Sequence, residues 1–517
     1  LVYGGFKLSM VSSMLWAIVT VIGIAMVVHI IVEFREERGR GFSPKSALLR
    51  CGAFLAVPIM WVCFTDAAGF ISLLAAKVGP VHDFGVMMAI GSLLALVSVS
   101  VVLPTLALVG SVDADPRQAW GEENLSSGLE WLVRFIERWP RAIGITTIAI
   151  VSFAWLGYIW LDVETDFTRN FRQSSPIVKS YAVVESRLGG GGVWDILLPV
   201  PQQIDHALLD RVRKLEDRLR TEIVVPDANG QATPGLTKIL SVTDALDTVS
   251  TRELRQLTDP EDLLGLFRAQ MPAVMNALVG TDPESKQRTL RIMLRARERQ
   301  PAAQKNYLIE RVTEITREEF PEGQVTGFFI LLTNLIDSML RDQWVSFTIA
   351  TAAIAVMMYI AFQRVSLALI AMVPNALPIT VITGLMGWLG IGINMGAAMI
   401  AAVSMGQAVD SSIHYITEYL AHRREGLPLQ QALLAVQQRA GRAAVFSTLA
   451  MCVGFSALCL SQFVPLIYFG VLMSLSMLGG LIGNLVLLPL LLRWAARWEK
   501  TPVALVKEDL LPATVER

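Results

Sequence analysis

The stretch GQAVDSSIH, Gly406 to His414, decides how this chain is read. It sits inside an apolar run, 393–419, long enough to cross a bilayer as a helix. A carboxylate in such a run costs roughly 2.5–3.5 kcal/mol on insertion scales, so Asp410 is kept only where it faces a cavity or a partner. His414 follows four residues later and shares its helical face, with Gln407 and Ser411 beside them. Asp410 could carry a proton, with His414, Gln407 and Ser411 completing a relay. The alternative is an Asp hydrogen-bonded between helices that serves only to hold a bundle together; the rarity of intramembrane ionisable residues favours the functional reading.

Working outward, eight further apolar runs have spanning length: 11–33, 51–76, 83–108, 143–162, 343–362, 366–389, 441–461 and 467–494. The composition agrees. Apolar residues make up 53% of the 517 and charged residues 17%, where a soluble domain carries about a quarter charged. Mean hydropathy is +0.51. The reading is a polytopic α-helical membrane protein of about nine spans. A net charge of −1 leaves no basic face for nucleic acid. Cys51, Cys63, Cys452 and Cys459 lie in or beside apolar runs, which excludes a disulfide framework and a CxxC metal site. No HExxH, GxSxG or nucleotide-binding motif occurs, and Gly189–Gly192 has no following Lys-Ser/Thr. No enzyme, cofactor or metal is expected, and an ATP motor would have to sit on another chain.

The segment 163–342 holds most of the charge and reads as an α/β domain of βαβ type. Its strand signals are Val193–Val200 and Thr289–Leu294, and its helical ones Ile204–Glu222 and Gln304–Glu319. The expected organisation is a membrane block at 1–109, a linker at 110–142, a span at 143–162, the polar domain, a five-helix block at 343–494 and a tail at 495–517. Basic residues in short loops mark cytoplasmic ends: Arg35, Arg38, Arg40, Lys45 and Arg50, then His422, Arg423, Arg424, Arg439 and Arg442. Placed so, the domain 163–342 is extracytoplasmic and the protein belongs in the cell (inner) membrane.

An internal repeat runs through the chain at an offset of 385. It lays His29 on His414, Glu33 on Glu418, Gly41 on Gly426, Gly69-Phe70 on Gly454-Phe455, Phe84-Gly85-Val86 on Phe469-Gly470-Val471 and Leu103-Pro104 on Leu488-Pro489. Such a register marks a duplicated transporter-like unit with both copies in one orientation. Extended backwards, the repeat expects roughly 245 residues before Leu1, with three more spans and a second outer domain. Ala25 occupies the place of Asp410 in the first copy, so no carboxylate precedes His29 there. Ser447 and Thr448, on the eighth span, are the expected polar neighbours of Asp410, with His29 a third. Glu33 and Glu418, at the membrane boundary, read as solvated. Pro374-Asn375-Ala376-Leu377-Pro378 should break the sixth span, as a kink or as a flexing element.

The run from Pro374 to His414 resembles the RND superfamily, in particular the MMPL-type exporters. The residues that carry it are Pro374-Asn375, Pro378, Gly390, Asn394-Met395, Gly406, Val409-Asp410 and Ile413-His414, with Gly454-Phe455, Pro465 and Phe469-Gly470 further on. Asp166-Phe167, Ser175-Pro176 and Val325-Thr326-Gly327 resemble porter-domain landmarks. The spans 343–494 also look like a sterol-sensing domain. The resemblance implies twelve spans in an intact protein and two porter-type outer domains. It also implies proton-driven export of hydrophobic or amphiphilic, lipid-like molecules, with the relay carboxylate at Asp410. Two positions depart: Ala25 removes the first acid of a symmetric relay, and Gln407 replaces a small or aliphatic residue. The partners expected are the substrate, protons, membrane lipid and further copies in a homo-oligomer. Two alternatives stand beside this reading: a sterol-sensing-type lipid sensor or scaffold, and an accessory factor of protein secretion. Proton dependence separates a sensor from an exporter.

Overall fold

The computed structural model describes residues 11–107, 122–164, 166–226, 230–249, 259–281 and 286–497. The chain divides into two compact units, Leu1–Asp162 with Met339–Arg517, and Val163–Ser338. Residues 110–121 of the expected linker and 498–517 of the expected tail lie outside the described residues.

The first unit opens with α1 (Leu15–Gly39), α2 (Pro44–Ile71) and α3 (Gly79–Ala107). Ser43 caps α2 by accepting from the Ser46 N–H, with Pro44 in the first turn where its missing donor is harmless. Gly41 makes the preceding turn at φ 89°, a conformation that suits glycine alone. The amphipathic helix α4 (Glu122–Arg138) buries Leu129, Val133 and Ile136 and turns Trp131 outward. It is followed by α5 (Pro140–Gly157).

The unit 163–338 contains α6 (Pro176–Arg187), α7 (His206–Glu222), α8 (Val242–Val249), α9 (Pro260–Gln270), α10 (Pro272–Leu278) and α11 (Ala302–Glu319). Its strands are β1 (Gly192–Val200), β2 (Val224–Pro226), β3 (Ala232–Pro234), β4 (Leu236–Leu240), β5 (Val279–Thr281), β6 (Arg288–Ala296) and β7 (Gln324–Thr326). The main sheet runs β4-β6-β1-β7, with β5 also on β6, and every pairing is antiparallel. The expected βαβ arrangement is present in split form: β1–α7–β4 and β6–α11–β7 each join two parallel strands, with one antiparallel strand of the other motif lying between them. Trp194, Ile196, Leu198 and Val200 of β1 alternate with half-covered neighbours, as expected where helices cover one face of a sheet whose adjacent strands are antiparallel. Those residues, with Leu290, Ile292 and Leu294 of β6, form one core with Leu215 and Leu219 of α7 and Leu308, Val312 and Ile315 of α11. Asp195 and Arg291, opposite in sequence parity to that core, form a two-pronged ion pair at 2.8 and 2.9 Å. Gly189 and Gly190, at φ 89° and 116°, make the turn into β1.

The first unit resumes at Met339, within α12 (Phe328–Phe362), and continues with α13 (Val365–Trp388), α14 (Met395–Arg424), α15 (Leu429–Val436), α16 (Arg442–Ser456), α17 (Val464–Ile482) and α18 (Leu488–Ala496). Two π-helical turns, Gln437–Gly441 and Gly483–Leu487, join α15 to α16 and α17 to α18. Among the described residues, eight helices are long and apolar enough to cross a membrane. The ninth expected span, 393–419, is α14, whose Gln407, Asp410, Ser411, Ser412 and His414 lower its hydropathy. It is buried on every side from Met399 to Ile416, so its polar groups face protein. Pro374 and Pro378 do not break α13, which continues unbroken to Trp388. The Pro374 carbonyl, freed because Pro378 has no N–H, is approached instead by Gly483. A Cβ there would stand 2.5 Å from that oxygen. Small residues also bring α5 and α13 together, where a Cβ on Gly157 would fall 2.0 Å from the Gly384 carbonyl oxygen.

The 385-residue repeat is built into the packing. Phe70 meets Phe84 edge-on at 6.3 Å, and Phe455 meets Phe469 at the same distance. Gly85 lies under the Phe70 carbonyl as Gly470 lies under that of Phe455. Arg38 closes the turn after α1 on the Phe42 carbonyl, and Arg423 does the same on Leu427. The halves exchange partners: α1 packs on α16, and α14 packs on α2.

In the 163–338 unit, Lys305 and Glu298 form a 2.8 Å ion pair that is almost fully buried. Burial pushes the Glu298 carboxyl above its ordinary value, and the Lys305 ammonium opposes that. Replacing Lys305 by Met strands the carboxylate and should cost about 3–5 kcal/mol. A raised folded pKa means stability present at low pH and lost as pH rises through it. The Lys305→Met variant should therefore regain stability on acidification. Hydrogen exchange of β6 and α11 in the full chain reads this, and equal protection in both proteins would refute it.

Candidate functional site

His29 on α1 and His414 on α14 are repeat counterparts, and their rings stack at 4.2 Å with an interplanar angle of 11°. A residue that touches its own counterpart lies on the axis relating the two copies. Further along, Arg439 lies 5.1 Å over the ring of Phe54, its own counterpart, so the axis passes there too. Arg439 is also ion-paired with Glu33 and lies 3.5 Å from Glu418 and 3.9 Å from Glu37, while Arg442 holds Glu36 at 3.2 Å. Glu33 and Glu418 are buried, not solvated as expected from their place at the membrane boundary. The reason is tertiary: the π turn carries Arg439 onto the axis between them.

The group that faces Asp410 comes from α2. A Cβ on Gly69 would stand 3.2 Å from the Ala402 carbonyl oxygen and 3.3 Å from the Gly406 Cα. One on Gly406 would stand 3.5 Å from Asp66 Oδ1. This glycine-on-glycine crossing lays Asp66, fully buried, against the polar turn of α14 that carries Gln407 and Asp410. Both oxygens of Asp66, Oδ1 of Asp410 and both amide atoms of Gln407 are buried without a hydrogen-bond partner among the described residues. Buried polar atoms are nearly always satisfied, so five such atoms on three adjacent side chains single this place out as the candidate site. Cys63, one turn before Asp66, packs on the Met26 sulfur at 3.7 Å.

At the counterpart place across the axis stand Ile22, Ala25 and Met451, all buried and apolar. One of the two pseudo-equivalent sites thus holds both acids and the other holds none. Ser447 and Thr448, expected beside Asp410, are buried on α16, which packs mainly on α1 and α17. No hydrogen bond joins them to Asp410 among the described residues. His29 does reach the site, through His414.

A second polar cluster lies on the opposite face of α14. Ser412 donates to Asn484 Oδ1 at 2.5 Å and accepts from Asn375 Nδ2 at 2.7 Å, and Asn484 Nδ2 donates to the side-chain oxygen Oδ1 of Asn375 at 3.0 Å. Ser412, rather than its neighbour Ser411, carries the hydrogen bonds. Asn484 sits in one π turn. Gln437, in the other, accepts from Tyr415 at 2.9 Å and donates to the Leu485 carbonyl at 3.2 Å. The two π turns therefore support each other and both address α14. Their counterparts in α2 and α3 are ordinary α-helix.

Asp66, Asn484 and Gln437 escaped the sequence reading. Asp66 was within its reach, since a carboxylate in the middle of the run 51–76 obeys the same rule that singled out Asp410. Asn484 and Gln437 gave no signal, because their importance comes from π turns that no residue pattern announces. Arg439 registered only as a marker of orientation. Replacing Arg439 by Gln should leave Glu33, Glu37 and Glu418 buried without their cation and lower the stability of the first unit by several kcal/mol, on the order of 3–5. Adding Glu33→Gln and Glu418→Gln should restore much of that loss. Thermal melting in detergent measures both, and a restored charge balance with no recovery would count against the cluster's role.

The sequence model of the MMPL family matches residues 2–143 and 208–510, both halves of the repeat included. A protein of Methanocaldococcus jannaschii described only as a membrane protein is 23% identical over 388 residues, 70% of this chain and 93% of its own length. With spanning helices, a duplicated membrane block and a family match over most of its length, the chain belongs to the MMPL family of transporter-like membrane proteins.

Proposed function

We propose that Asp66 and Asp410 form a single proton-binding site that couples the proton gradient to export of hydrophobic or amphiphilic, lipid-like molecules. The observation that carries this reading is the pair itself: two buried carboxylates from different helices, with unmet hydrogen-bonding capacity, at a close helix crossing. Two carboxylates in one buried site cannot both ionise cheaply, so the pair holds a proton and yields it only to a pathway. With the proton bound, α2 and α14 can stay in contact at Gly69 and Gly406. With it lost, repulsion between the acids favours separation, which makes the crossing a two-state element. The His29–His414 stack on the axis would transmit that change to the other half.

One acid site per chain suggests one proton per cycle. At about 150 mV a proton supplies roughly 3.5 kcal/mol, which supports a gradient of a few hundred-fold. A cleft of about 430 Å3 between α13 and α17, walled by Leu385, Met386, Leu389, Val471 and Leu475, suits an acyl chain. The basic ends of α1, α14 and α18 support a cytoplasmic placement for those ends and an extracytoplasmic one for the 163–338 unit. The apolar counterpart site at Ala25 and Met451 is what a pump with one working half would keep.

The test is efflux of a fluorescent amphiphile from vesicles under an imposed proton gradient. Asp66→Asn and Asp410→Asn should each abolish gradient-dependent efflux while leaving the protein inserted and folded. Wild-type efflux by either variant would refute the shared site. Lipid binding indifferent to both pH and these substitutions would point instead to a sterol-sensing-type sensor.

A further inference from the structure

Where α4 meets α5, and where α18 ends, a cleft of about 1010 Å3 opens between these helices. It is lined by Arg138, Arg141, Arg493 and Arg497, with Trp139 and Trp494 at its margin. Glu137 is the acid in the lining, and it is engaged by Gln430 at 2.9 Å. None of the four arginines has an ion-pair partner among the described residues. Nη1 of Arg493 is buried there without a hydrogen bond. The N-terminus of the 18-residue helix α5 opens into the same cleft, and Trp139 at its cap makes no side-chain hydrogen bond to it. Free backbone N–H groups and the positive end of the helix dipole thus add to the guanidinium charge.

We infer that this cleft binds the head group of an anionic phospholipid. The phosphodiester would sit among the guanidinium forks, whose paired N–H groups match its oxygens, and the exposed α5 N-terminus would take a further oxygen. A lipid is favoured over a free anion by what continues from the charges. Ile145 and Leu490 line the cleft beyond the arginines, and Ile148 lies exposed one turn further along α5. The half-exposed Trp139 and Trp494 stand where the apolar and charged parts meet, the position such rings take at a membrane boundary. A net positive lining selects against a zwitterionic head group, whose own cation would be brought among four guanidinium groups. The site lies where α4 meets the second copy, and its lining shares no residue with the acid pair, so it stands whether or not Asp66 and Asp410 carry protons.

The full chain, purified in detergent, is titrated with phosphatidylglycerol, with phosphatidylcholine and with inorganic phosphate while its melting temperature is followed. Phosphatidylglycerol should raise the melting temperature saturably, and the other two should not. Arg493→Gln with Arg497→Gln should shift half-saturation upward by roughly fivefold for each charge removed. Should that variant fail to fold, Arg138→Gln with Arg141→Gln, both exposed, should show the same shift. Equal stabilisation by phosphatidylcholine or by phosphate, or unchanged half-saturation in a folded variant, would overturn the assignment.

Discussion

The close crossing of α2 and α14 is the contact on which the membrane unit depends. Gly69 and Gly406 have no side chains to keep the two backbones apart, so the helices approach until Asp66 lies against the polar turn of its neighbour. A larger residue at either place would open the crossing and leave each carboxylate facing a gap. The same crossing surrounds α14 with protein along its middle, which is what allows the helix to carry Gln407, Asp410, Ser411, Ser412 and His414 through an apolar bundle.

The repeat supplies the frame, and departures from it supply the chemistry. Aromatic pairs, glycine contacts and turn-closing arginines recur at both copies, so the packing of one half is the packing of the other. Against that background the polar groups gather on one side of the axis. The two acids face each other at one site, while Ile22, Ala25 and Met451 fill its counterpart. Both π turns occur in the second copy, where they aim Gln437, Arg439 and Asn484 at α14 and at the axis. On the axis itself, like residues meet by necessity. Two histidines stack at one level, and at another Arg439 faces Phe54 in place of a second copy of itself, which spares the core a pair of like charges.

The 163–338 unit follows ordinary rules of water-facing structure. One face of an antiparallel sheet is covered by α7 and α11, and the other keeps charged residues such as Asp195 and Arg291. The buried pair Lys305–Glu298 is an exception within it, tolerated because each charge is the other's partner and Phe329 lies 5.5 Å from the ammonium.

The sequence by itself determined the spans, the polar domain's location in the chain, the repeat and the singular character of Asp410. Those features are local or periodic: length and hydropathy define a span, and a fixed offset of Gly, Pro and His defines a copy. It also contained Asp66, plain in a span, although nothing local joins positions 66 and 410. Only tertiary structure decided that the facing acid comes from α2 rather than from the counterpart position at Ala25. It also decided that Ser412 rather than Ser411 is hydrogen-bonded, and that Glu33 and Glu418 are buried around Arg439. The strands of β1 and β6 were legible, but their antiparallel pairing was not. In each case the reason is the same: a partner more than twenty residues away is chosen by how helices and strands cross, and a one-dimensional pattern records periodicity but not crossings.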